Sequence, residues 1–147
     1  VEVRIARIFN TYGPGMATND GRVVSNFILQ TLRGEPVTVY GDGSQTRSFC
    51  YRDDLIEGLV RLMALDGKEP RPVNLGNPEE CSMLELVQAV ARACGREAMV
   101  TYQPIPNDDP KQRCPDITRA RELLNWSPAV SLQEGLQRTV SWFQNQT

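Results

Sequence analysis

The 147-residue sequence predicts an α/β protein, and three observations carry that expectation. Short runs rich in β-branched and aromatic residues recur along the chain, at residues 1–9 (VEVRIARIF), 37–40 (VTVY), 72–76 (PVNLG) and 99–103 (MVTYQ). Between them lie longer segments whose apolar residues fall at helical spacing, so strands and helices alternate. The helical segments also carry start and stop signals, among them two Ser-x-x-Glu capping boxes and glycines just past the last turn.

Taken in order, residues 1–9 place Val1, Val3 and Ile5 on one face of a strand and Glu2 and Arg4 on the other, an alternation that slips at Ala6-Arg7-Ile8 before Asn10-Thr11-Tyr12-Gly13-Pro14 turns the chain. Asn19-Asp20-Gly21 can cap a helix over residues 22–33, with Val24, Phe27, Ile28 and Leu32 on one face and Gly34 as its stop. Arg22 then sits on a first turn, where unpartnered N–H groups attract anions. Strands 37–40 and 48–51 flank Gly41-Asp42-Gly43-Ser44-Gln45-Thr46-Arg47, a stretch that reads as a hairpin turn carrying an arginine.

Asp53 is the expected cap of a helix to about residue 65, so apolar on Leu55, Leu59, Leu62, Met63, Ile56 and Val60 that two covered sides are expected. Ser82 and Glu85 open a helix ended by Gly95, with Met83, Leu86, Val87, Val90 and Cys94 on its apolar face. Residues 104–115 are polar and proline-rich, a loop that carries Arg113. Asp116 caps a short helix, Trp126 and Pro128 break the chain, and Ser131 with Glu134 opens a last helix along Leu132, Leu136, Val140 and Phe143.

Composition excludes several classes of function. The net charge is −2 with no block of like charge, which gives nucleic acid or a membrane surface no attractive face. Cys50, Cys81, Cys94 and Cys114 have no C-x-x-C spacing and no histidine is present, so zinc sites and nucleophile–histidine pairs lack their ligands and base. The thiols read as reduced and cytoplasmic. No apolar run reaches the length of a membrane span and no signal-peptide pattern is present. The chain begins inside an expected strand without methionine, as a piece of a longer protein would.

Self-contained chemistry is also missing. There is no glycine-rich dinucleotide loop, no P-loop and no nucleophile elbow. What remains is a set of spaced arginines, Arg22, Arg47, Arg52 and Arg113, whose planar forks suit phosphate or carboxylate. Each is also readable as an ordinary surface charge.

The ordered motifs Arg7-Ile8-Phe9-Asn10-Thr11-Tyr12-Gly13-Pro14, Asn19-Asp20-Gly21-Arg22-Val23-Val24-Ser25-Asn26-Phe27, Gly41 to Phe49, Val73-Asn74-Leu75-Gly76-Asn77-Pro78 and Pro115-Asp116-Ile117 resemble the C-terminal part of the extended short-chain dehydrogenase/reductases that act on nucleotide sugars. The second motif is most similar to the UDP-glucuronate decarboxylases; the others are shared with dTDP-glucose 4,6-dehydratases and UDP-sugar epimerases. The fold implied is the sugar-nucleotide-binding part of an extended SDR, residues 1–147, with one or more residual Rossmann strands and the N-terminal NAD-binding half absent.

The activity implied is oxidation of the sugar 4-hydroxyl by NAD, loss of CO₂ from the resulting β-keto acid, and return of hydride to give UDP-xylose. By the same resemblance, Asn10 contacts the sugar nucleotide, Thr11 lies at the nicotinamide end of NAD, Tyr40 at the uridine and Arg47 at the diphosphate, with Arg113 a second candidate there. Arg22 is placed at NAD or at the substrate carboxylate, and is the one candidate here for a catalytic role. A homodimer is the implied assembly of the parent.

Two departures stand out. Relatives often carry Arg where this chain has Gly15 and His where it has Ala17, which puts those cofactor contacts in doubt. More seriously, Tyr12, Tyr40, Tyr51 and Tyr102 are followed four residues later by Met16, Ser44, Leu55 and Pro106, so the family's Tyr-x-x-x-Lys base is absent. Without that base hydride transfer does not start, and the isolated chain is expected to be inert. A non-catalytic nucleotide-sugar-binding module, and a structural piece whose open strand pairs with another chain, are the rival readings.

Overall fold

The computed structural model describes residues 2–18, 21–67, 69, 71–105 and 112–146. In chain order its elements are β1 (Ala6–Ile8), β2 (Thr11–Tyr12), α1 (Val23–Arg33), β3 (Val37–Tyr40), β4 (Thr46–Ser48), β5 (Cys50–Tyr51) and α2 (Arg52–Met63). They are followed by β6 (Val73–Leu75), β7 (Glu80–Ser82), α3 (Met83–Cys94), β8 (Val100–Gln103), β9 (Gln112–Arg113), α4 (Thr118–Leu124) and α5 (Leu132–Gln144). The fold is α/β, with parallel pairs β1–β6, β2–β5 and β3–β8 and a mixed sheet in the order β7-β4-β9.

Two apolar clusters hold these pieces. The larger packs Val24, Phe27 and Ile28 of α1, Leu86 and Val90 of α3, and Leu136, Val140 and Phe143 of α5 against Val37 and Val39 of β3. The smaller gathers Leu55 and Leu62 of α2, Val73 and Leu75 of β6, Ala120 and Leu124 of α4, and Trp126. Asp54, buried in α2, ties the chain after α4 to this cluster: its carbonyl accepts from Trp126 Nε1 at 2.9 Å and its Oδ2 accepts from Val130 N at 2.9 Å. Arg61 does the same at the end of α4, donating to the Leu124 and Asn125 carbonyls that the helix leaves unpaired.

Local signals held where the interaction is local. Ser82 and Glu85 form the reciprocal capping box, with Ser82 N donating to Glu85 Oε2 at 2.7 Å and Glu85 N to Ser82 Oγ at 3.2 Å. Gly34 and Gly95 end α1 and α3 in left-handed conformations. At α5 only half of the second box is made: Ser131 Oγ accepts from Glu134 N, while the Glu134 carboxylate instead pairs with Arg138 at 2.6 Å.

Other expectations give way. The first strand is limited to β1, and Val3 and Ile5 are exposed; Val1 lies outside the described residues. The N-cap of α1 is Arg22, with no side-chain cap; Asn19 and Asp20 lie outside the described residues. Tyr51, not Asp53, is the N-cap of α2, and Asp53 sits in the first turn bonded to Arg52 at 2.9 Å. The second apolar side of α2 is open, since Ile56, Val60 and Met63 are all exposed.

The stretch 41–45 is not a hairpin turn. Gly41 and Gly43 both adopt positive φ (67° and 75°), and Asp42 Oδ1 accepts from Ser44 N at 2.9 Å and Ser44 Oγ at 2.6 Å, so the turn is tight. The strands it joins nonetheless separate, β3 to β8 and β4 to β7 and β9. Pairing is decided by distant partners that the turn residues do not encode.

Candidate functional site

A cavity of about 880 Å³ opens between β1–β2, α1, β3 and β4. Its volume lies in the upper part of the usual range for small-molecule sites. All six residues singled out from the sequence, Asn10, Thr11, Arg22, Tyr40, Arg47 and Arg113, line it. Arg52 does not: its Nη1 donates to the Pro14 carbonyl at 2.7 Å and its Nε to Asp53.

Each of the six arrives by a different route. Asn10 joins β1 to β2, and its carbonyl accepts from Cys50 N at 2.8 Å, which anchors the backbone beneath the site. Thr11 spends its hydroxyl on the Phe9 carbonyl at 2.9 Å. Arg22 enters as the N-cap of α1, with extended φ and ψ and an exposed side chain at the cavity mouth. Tyr40 ends β3 half-exposed, its carbonyl accepting from Gln45 Nε2 at 2.8 Å, so the turn braces the aromatic ring's strand.

Arg47 is buried in β4, with Nη1 donating to the Thr46 carbonyl at 2.7 Å. Arg113 is not in a loop. It belongs to β9, which pairs parallel with β4 so that Arg47 and Arg113 are in register, and Ser48 Oγ donates to the Arg113 carbonyl at 3.3 Å. The strand was invisible in the sequence because residues 112–113 contain no β-branched or aromatic residue; its order comes from β4.

Sequence reasoning missed Arg7, which lines the cavity from β1. A signal existed in the alternation slip at Ala6-Arg7-Ile8, which turns the arginine out of the expected pattern. It also missed Gln30 and Thr38, locked together across the cavity wall by Thr38 N donating to Gln30 Oε1 and Gln30 Nε2 to Thr38 Oγ1, both at 3.1 Å.

The electrostatics are one-sided. Among the described residues that line the cavity are four arginines, Arg7, Arg22, Arg47 and Arg113, and no aspartate or glutamate. In a chain of net charge −2 this concentrates positive potential where a ligand would enter, and a concave wall focuses it. Tyr12, the tyrosine next to Thr11, is buried behind the wall with its hydroxyl donating to the Leu132 carbonyl at 3.3 Å, and burial pushes its phenol above the ordinary range, away from what a general base needs. Burial likewise raises the Cys50 thiol to about 12, so it stays neutral beneath the site. Among the described residues no cluster of metal-binding side chains occurs.

A sequence model described as the NAD dependent epimerase/dehydratase family matches residues 1–76, just over half of the chain. UDP-glucuronic acid decarboxylase 1 of Arabidopsis thaliana is 59% identical over 145 residues, which is 99% of this chain and 33% of that protein. UDP-glucuronic acid decarboxylase 1 of Danio rerio is 54% identical over 143 residues, covering 97% of this chain and 34% of its own length. Among solved structures, UDP-glucuronic acid 4-epimerase from Bacillus cereus in complex with UDP-glucuronic acid and NAD superposes with a TM-score of 0.93 at 31% identity, over 100% of this chain and 46% of that one. The chain therefore spans about a third of the length of these curated relatives.

Proposed function

Because the chain belongs to the NAD dependent epimerase/dehydratase family, we propose that it forms the nucleotide-sugar-binding part of an NAD-dependent UDP-glucuronate decarboxylase. The observation that carries this is the cavity wall with four arginines and, among the described residues, no carboxylate. UDP-glucuronate itself carries two anionic groups, a diphosphate in the middle and a carboxylate on the sugar. The identities above 50% to decarboxylases, against about 31% to the Bacillus cereus epimerase, favour decarboxylation over epimerisation for the parent protein.

Arg47 and Arg113 are the groups for the diphosphate, Tyr40 for the uracil face and Asn10 for the sugar. Thr11 and Arg22 are the positions here that suit a dinucleotide. The 147 residues hold no G-x-G-x-x-G or G-x-x-G-x-x-G loop, so the two could hold one end of it only. When bound, NAD supplies the hydride acceptor and donor; what this chain's residues do is bind, orient and neutralise charge. A cation at Arg22, fixed at a helix start, would favour the enolate charge that develops as CO₂ leaves.

The remaining half of the reading concerns partners. β1 has a single parallel neighbour among the described residues, and Ile56, Val60 and Met63 form an open stripe on α2. Parallel strands are normally covered on both faces and both edges, so these surfaces suit a preceding NAD-binding half carrying the Tyr-x-x-x-Lys base. The homodimer common to the family, in the cytoplasm where the four free cysteines stay reduced, completes the proposal.

Calorimetric titration of the chain with UDP and UDP-glucuronate tests the site, and binding of both is expected. No heat with either ligand would remove the nucleotide-sugar assignment. A ¹⁴CO₂-release assay with UDP-[¹⁴C]glucuronate and NAD tests the missing base; release by this chain alone would overturn its expected inactivity.

A further inference from the structure

Arg7 stands apart from the other cavity arginines in its support. It projects from β1, in the sheet with β6, whereas Arg47 and Arg113 are neighbours in the β7-β4-β9 sheet. The cavity wall thus carries cations on two separate sheets, an arrangement suited to one ligand with two separated anionic groups.

The Arg7 side chain is exposed and steadied at one edge, where Nη1 donates to Oδ1 of its cross-strand partner Asn74 at 3.4 Å. Asn74 is itself oriented, because its Nδ2 donates to the Asp116 carbonyl at 2.9 Å. A carbonyl only accepts, so the amide nitrogen must face Asp116 and the amide oxygen must face Arg7. Arg4, Arg52, Arg61, Arg71, Arg119 and Arg138 each have a carboxylate partner. Arg7 forms no ion pair among the described residues. Its remaining N–H donors keep the planar fork that matches a carboxylate.

We propose that Arg7 binds the sugar carboxylate of a nucleotide sugar whose diphosphate lies against Arg47 and Arg113, and so selects uronic acid sugars over neutral ones. The inference rests on the nucleotide-sugar reading above. A neutral sugar leaves the Arg7 fork facing water and gains nothing from it, whereas a carboxylate gains a charge-assisted pair on a rigid strand. The other anionic group with the same chemistry is a dinucleotide diphosphate, and the titrations below separate the two.

Isothermal titration of the chain, unsubstituted and as Arg7→Gln and Arg7→Lys, is carried out with UDP, UDP-glucose, UDP-glucuronate and NAD. The unsubstituted chain is expected to bind UDP-glucuronate about tenfold more tightly than UDP-glucose, the ratio of one charge-assisted hydrogen-bonded pair. Arg7→Gln should abolish that ratio while leaving UDP and UDP-glucose unchanged, and those two ligands also report that the fold is intact. Arg7→Lys, which keeps the charge and loses the fork, should recover part of the ratio. An unchanged preference for UDP-glucuronate in Arg7→Gln, equal weakening of every ligand, or a loss confined to NAD would each overturn the assignment. Failure of the unsubstituted chain to bind UDP would instead remove the nucleotide-sugar reading, and the Arg7 role with it.

Discussion

Arg47 and Arg113 stand opposite one another in the parallel pairing of β4 and β9, two like charges brought into register by strands that lie 66 residues apart in the chain. Like charges facing across a ladder repel, and both line the cavity. An anion between them would turn that repulsion into two attractions. Arg47→Ala is therefore expected to weaken UDP binding by about ten- to a hundredfold, the worth of hydrogen bonds to a charged group. Arg113→Ala, at the more exposed position, should have the smaller effect, and the double variant should fall short of the product because the two act on one ligand group. Titration calorimetry reads all three, and equal affinity before and after Arg47→Ala would refute the diphosphate role.

Gly135 has no room for a side chain. A Cβ there would meet Tyr12 Oη at 2.1 Å and Tyr51 Cδ2 at 2.9 Å, although its helical backbone would otherwise favour alanine. Overpacking of this kind costs about 1–3 kcal/mol, more than the helix-propensity gain of about 1 kcal/mol. Gly135→Ala should accordingly lower the urea midpoint. A rise would mean that α5 can slide away from Tyr12.

Asp54→Ala removes the acceptor for Val130 N, whose residue packs against the larger apolar cluster. Leaving a part-buried donor unpaired costs about 1–3 kcal/mol. The loss should appear in urea denaturation with UDP affinity unchanged, because neither Asp54 nor Val130 lines the cavity.

Glu69 joins Arg71 and Arg119, and the Arg71 hydrogen bonds first, then Arg119, hold its carboxyl down to about 2 from an ordinary 4.5. A carboxyl whose pKa falls on folding contributes stability that is complete above about pH 4.5, because the unfolded chain is then also ionised. Below that the unfolded chain takes up the proton first, and the contribution declines until about pH 2. The difference in urea stability between the native chain and Glu69→Gln should thus shrink steadily from pH 6 to pH 3. A constant difference would show that the pair does not persist in solution.

Elements whose stabilising contacts lie within a few residues were legible. The Ser82–Glu85 box, the glycine stops at Gly34 and Gly95, and the apolar register of Leu136, Val140 and Phe143 all depend on spacing along one helix, and they stand as read. The hairpin at 41–45 was misread because Gly-Asp-Gly specifies a tight turn but not what the flanking strands pair with. Arg7 was passed over as a strand residue: the alternation slip at Ala6-Arg7-Ile8 sets it out of pattern, but not against which cavity that face would lie.

By itself the sequence determined the α/β alternation, the Ser82–Glu85 box and the glycine stops at Gly34 and Gly95, and it singled out Asn10, Thr11, Arg22, Tyr40, Arg47 and Arg113, because periodicity, capping and motif order are properties of short segments. Tertiary structure alone decided that those six share one cavity, that β9 sets Arg113 beside Arg47, that Arg7 joins them from another sheet, and that α2 keeps an apolar face open. Those outcomes depend on strand pairing between residues far apart in the chain, where the energy resides in contacts that neither segment can specify on its own.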